Sequence, residues 1–137
     1  MHSRILVLND SNYDCNEIAE IMGYNADYVC ESESEYDEDY DWFMAFASEL
    51  GFTPLTKGFQ FCKGSVETFY QVMENRVKDL LPISPSTHYR IESLITMKHG
   101  FYIWYNNELF TLPEFMNFHG YEIGKKFTIT RFLDYHY

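Results

Sequence analysis

The sequence predicts an α+β fold: one domain over residues 1–137, with a mainly antiparallel sheet of about four to five strands packed with two or three amphipathic helices. Three observations predict it. The length, 137 residues, suits a single domain whose core closes without disulfides or metal. Apolar residues, 46% of the chain, recur at helical spacing in some stretches and in short strand-length runs in others. No repeat or internal linker divides the chain.

The elements follow in order. "RILVLN" (4–9) is a short apolar run bounded by polar residues, the pattern of a buried strand. Asp10 and Ser11 offer cap chemistry for the helix that follows. Cys15, Ile18, Ala19 and Met22 then recur at i, i+3, i+4 and i+7, with Gly23 as the stop. "DYVC" (27–30) suits a second strand. Trp42, Phe43, Phe46, Ala47 and Leu50 have helical spacing and Gly51 follows them, so a helix starts near Asp39 or Tyr40. "FTPLTKGFQFC" (52–62) is irregular or a short hairpin. Ser65 suits the N-cap of a helix reaching about Leu81, with an apolar stripe from Val66 to Leu81 and Pro82 ending it. The last third reads as sheet: "HYRIESLITMK" (88–98), "FYIWY" (101–105) and "ELFTL" (108–112), linked by His99-Gly100 and Asn106-Asn107. "PEFMNF" (113–118) suits a helical turn, and "KKFTITRFLDYHY" (125–137) a final strand.

Charge supplies the functional signal. The net charge is −11. Residues 1–50 hold 13 acids against one base, Arg4, while residues 51–137 hold 8 acids and 9 bases. The acidic N-terminal third therefore accounts for the whole imbalance. That charge argues against direct binding to DNA, RNA or anionic membrane, because phosphate recognition needs a basic face. The partner of such a surface is a basic protein. Aromatic residues are dense, with 12 Tyr and 12 Phe; the Phe belong in a core, whereas Tyr also suits interfaces. Three cysteines (Cys15, Cys30, Cys62), no CxxC and no long apolar run describe a soluble protein of a reducing compartment, the cytoplasm of a host cell.

Sharper chemistries fail residue by residue. Asp37, Asp39 and Asp41 match the first ligands of a calcium loop. Trp42 then stands where the loop needs Gly, and Ser48 where it needs a bidentate Glu. His2, His88, His99, His119 and His136 have no i, i+4 pairing and no HExxH, so no metal site is expected. "GYEIGKK" (120–126) has three residues between its glycines where a phosphate loop has four, and Lys126 replaces the Ser or Thr. Cys62 beside Lys63 reads as a core thiol, not a nucleophile. "ILVLND" plus a helix resembles the start of response-regulator receiver domains, but no later strand ends in an acceptor Asp. No catalytic residue and no cofactor is expected.

What remains is "ESESEYDEDYDW" (31–42), in which seven of twelve residues are carboxylates. The candidate partner-binding residues are Glu31, Glu33, Glu35, Tyr36, Asp37, Glu38, Asp39, Tyr40 and Asp41. If Glu31, Glu33 and Glu35 lie on an extended segment, they face one side about 6.6 Å apart, close to the repeat of phosphates along a nucleic-acid strand. Asp37 to Asp41 would complement a helix dipole, and Tyr36 and Tyr40 would add apolar contact area. The plainer reading is a solvated loop that aids solubility.

In composition and charge the chain is similar to phage anti-CRISPR and antirestriction proteins that imitate DNA, and to immunity proteins that neutralise toxin nucleases. This resemblance implies an inhibitor that occupies the basic nucleic-acid groove of a nuclease or other nucleic-acid-binding protein. It carries no residue-level motif. Two other classes stand beside it: a hydrolase using a carboxylate-held metal, and a structural subunit whose "FLDYHY" end self-associates at a free sheet edge.

Overall fold

The strand read in "RILVLN" is β1 (His2–Leu8), at the centre of a seven-stranded sheet in a computed structural model that describes residues 1–9 and 11–137. Its antiparallel neighbour is β7 (Lys126–His136), and its parallel neighbour on the other side is β5 (Tyr102–Tyr105). β6 (Glu108–Thr111) closes a hairpin with β5 through Asn106 and Asn107, both at positive φ as such a turn demands. The other edge of β7 is shared. β2 (Tyr28–Glu31) pairs with its C-terminal half and β4 (Gly58–Gln60) with its N-terminal end, and β3 (Thr53–Leu55) pairs with β4. Five of the six pairings are antiparallel. The expectation of four to five strands missed that β2 and the 53–60 hairpin both join the same sheet.

Among the described residues there are five α-helices instead of two or three: α1 (Cys15–Met22), α2 (Tyr36–Ala47), α3 (Ser65–Lys78), α4 (His88–Thr96) and α5 (Leu112–His119). The expected cap residue Asp10 lies outside the described residues; Asp14 caps α1, accepting from the Asn16 amide at 2.8 Å. Gly64, not Ser65, precedes the first turn of α3. The Ser65 hydroxyl instead accepts from the Cys62 amide at 2.8 Å. Residues 88–98 are the clearest correction. His88–Thr96 is a helix and not a strand, with Ile91 buried and Leu94 half-buried at three-residue spacing; Met97, the left-handed residue that ends the helix, is buried as well. α5 carries a full capping box between Thr111 and Glu114.

Alternation along β1 splits the core. Leu6 and Leu8 face α2, α3 and α5, where Phe43, Phe59, Phe69 and Phe115 are fully buried. Ile5 and Val7 face α1, through Ile18 and Met22. The β1–β7 register shifts between Val7 and Leu8, leaving Thr130 as an extra residue whose hydroxyl donates to the Val7 carbonyl at 3.0 Å. That bulge keeps Phe127, Ile129 and Phe132 in one core despite their uneven spacing. β7 is interior, so the "FLDYHY" segment offers no free edge for self-association.

Candidate partner-binding surface

Seen from beneath, the acidic stretch is an anchored structure. Arg4 leaves β1 on the α2 side with its side chain mostly covered. Its Nε donates to Asp39 at 2.8 Å, Nη1 to Asp134 at 3.0 Å, and Nη2 to the Ser34 hydroxyl at 3.2 Å. The Ser32 hydroxyl donates to the second Asp39 oxygen at 2.6 Å and accepts from the Ser34 amide at 3.2 Å. Asp39 is only 2% exposed. A buried carboxylate needs a base and further hydrogen bonds, and the only base of residues 1–50 supplies one of them. Asp39 is therefore a structural residue and presents no carboxylate to a partner.

Tyr36 and Tyr40 are also turned inward. They stack with ring centroids 6.3 Å apart. The Tyr36 hydroxyl donates to the Ile129 carbonyl at 2.6 Å, in the stretch of β7 between its β4 and β2 pairings. The Tyr40 hydroxyl lies 2.5 Å from the Leu55 carbonyl and 2.8 Å from that of Gly58, clamping the β3–β4 turn. Burial, with Tyr40 and Asp37 adding to it, pushes Tyr36 up to about 12. Burial also raises Tyr40.

The helix consequently starts at Tyr36, earlier than the like-charge pair Asp37/Asp41 suggested. The expected extended row also ends early. Glu31 closes β2, Ser32 and Ser34 form the turn, and Glu35 is the residue before α2. Glu31, Glu33 and Glu35 do not lie on one strand. Glu31 is exposed and engaged by Arg131 at 3.4 Å and by the Tyr13 hydroxyl. Burial and then the Glu31 carboxylate push that hydroxyl above its ordinary value.

Glu33, Glu35, Asp37, Glu38 and Asp41 remain, all exposed and none within ion-pair distance of a base among the described residues. The sequence reading missed Trp42 on this surface. It sits one helical turn after Glu38 and is 45% exposed, its indole edge-on to Phe101 at 5.0 Å with the Arg4 guanidinium 5.2 Å from its ring centroid. A signal was present: the stripe of Leu50, Phe46/Ala47 and Phe43, continued back one turn, lands on Asp39, and this leaves Trp42 on the flank of the helix.

Elsewhere, a groove of 540 Å³ between α3, α4 and α5 is lined by Phe69, Tyr70, Met73 and Ile95. Among the described residues no group of three or more His, Cys, Asp or Glu is placed to hold a metal ion, and no helix is long and apolar enough to cross a membrane. The chain matches no protein-family model, no curated protein and no solved structure to which it was compared.

Proposed function

We propose that the chain is an inhibitory binding protein that presents fixed carboxylates to the basic nucleic-acid groove of a partner, a nuclease or other nucleic-acid-binding protein, and so excludes the nucleic acid. The anti-CRISPR and antirestriction class works in this way. One observation carries the reading. Glu33, Glu35, Asp37, Glu38 and Asp41 stand exposed and, among the described residues, without an ion-pairing base, on a segment that Arg4, Asp39, Tyr36 and Tyr40 hold from below. A solvated loop has no need of such anchorage. A segment already ordered pays little entropy on binding. Its charge speeds encounter over distance. Trp42, half exposed beside the carboxylates, is suited to be the desolvated contact that slows release. No bond is made or broken; inhibition is competition. Free Cys15, Cys30 and Cys62 agree with a cytoplasmic setting.

The test is competitive capture. The wild-type chain, immobilised at low salt, is expected to retain a basic nuclease that added duplex DNA releases. The variant Glu33→Gln/Glu35→Gln/Asp37→Asn/Glu38→Gln/Asp41→Asn should retain little of it while unfolding at the same urea concentration. Equal capture by the variant, or capture indifferent to DNA, would sink the proposal.

A further inference from the structure

The carboxylates explain attraction but not the mode of docking, and the edge of the sheet suggests one. β2 (Tyr28–Glu31) pairs with β7 on one side, and among the described residues no strand pairs with its other side. Tyr28, Cys30 and Glu31 are exposed. The Ser32 amide donates to the Phe132 carbonyl at 3.2 Å, which fixes the phase of the pairing. Alternation then turns the backbone of Tyr28 and Cys30 toward β7, and the amides and carbonyls of Val29 and Glu31 outward. The strand is packed through its side chains. Tyr28 stacks on His136 with centroids 5.2 Å apart, and Val29 packs into the core beneath α1.

We propose that this edge receives an extended, basic segment of the partner as an added strand. The inference rests on the acidic-surface reading above and specifies its geometry. An open edge pairs with any strand that can approach it, and charge decides which can. Asp27 precedes the strand, Glu31 closes it and Glu33 follows it, all three exposed. Asp27 is offset only by His136 at 3.2 Å and Glu31 only by Arg131 at 3.4 Å, and Glu33 has no ion-pair partner among the described residues. A second copy of this chain, also at net charge −11, would bring carboxylates against carboxylates along the same edge. A segment rich in Lys or Arg meets the opposite condition. It gains main-chain hydrogen bonds from Val29 and Glu31 and ion pairs from the flanking acids.

The probe is a short acetylated and amidated peptide of alternating Lys and Val, set against the same peptide methylated on every backbone nitrogen. The two have equal charge, and only the first can donate to a strand edge. At low salt the unmodified peptide should bind at least about tenfold more tightly, the worth of one or two net hydrogen bonds. It should also slow alkylation of Cys30, which is on β2, while leaving exposed Cys62 untouched; Cys62 lies beyond β4, at the opposite end of β7. Equal affinities, or an unprotected Cys30, would overturn strand addition and leave the acidic surface standing, because charge alone would account for binding. Failure of both peptides to bind would overturn strand addition and the acidic-surface reading together.

Discussion

The acidic stretch has an inner and an outer side, and similar residues behave differently on each. Asp39 and Asp41 are two positions apart on α2. Asp39 is enclosed by Arg4 and Ser32, while Asp41 faces water. Tyr36 and Tyr40 lie on the inner side with Asp39, and Trp42 lies on the outer side with Asp41 and Glu38. A run of carboxylates is therefore not one electrostatic object. Its inner members are bound up with the stability of the fold, and its outer members are left available.

Substitutions can break this contrast, beginning with the largest effect. Arg4→Ala takes the guanidinium from both Asp39 and Asp134, leaving the buried Asp39 with the Ser32 hydroxyl and the less buried Asp134 with His2 at 3.0 Å, and should cost about 4 kcal/mol in urea unfolding; Asp39→Ala, which leaves Arg4 its Asp134 partner, should cost about 3 kcal/mol. A loss below about 1 kcal/mol in both would mean that the inner side is not the anchor described. Tyr36→Phe should cost about 1 kcal/mol near neutral pH, and it has a pH signature. The folded state holds this hydroxyl up to about 12, against an ordinary value near 10, so it binds the proton more tightly than the unfolded chain does. That contribution is complete below about pH 10 and is lost as pH rises through about 12, so the variant's stability should decline less steeply across that interval. An unchanged alkaline slope would contradict it. The smallest effect belongs to the outer side. Asp41→Asn should shift stability by less than about 0.5 kcal/mol, with a slight gain at low salt as its repulsion with Asp37 is relieved. A loss near that of Asp39→Ala would erase the distinction between the two sides.

Much of this was legible from residue order. The spacing of Cys15 to Met22 and Val66 to Met73, the Asn106-Asn107 turn and the closing strand all appear where local pattern places them. The misses have physical causes. Residues 88–98 hold Ile91, Ile95 and Thr96, β-branched types that favour strands, and the helical spacing that turns Ile91 and, in part, Leu94 inward outweighed that preference. The parallel pairing of β1 with β5 joins residues about a hundred positions apart, a separation that no local pattern reports. On the candidate surface, counting carboxylates located the region but could not separate Asp39 from its neighbours. The separation comes from one cross-chain contact, that of Arg4, which local charge patterning does not reveal.

The bulged pairing of β1 with β7 has a further consequence. These two strands form the middle of the sheet yet come from opposite ends of the sequence, and β2 and β4 both hang on β7. Residues 1–125 alone therefore lack the strand that organises the other three, and they would leave one edge of β1 without its hydrogen-bonding neighbour. The sheet is completed from its centre only when the last segment threads in. Topologies dominated by such distant pairings order themselves over milliseconds to seconds, not microseconds.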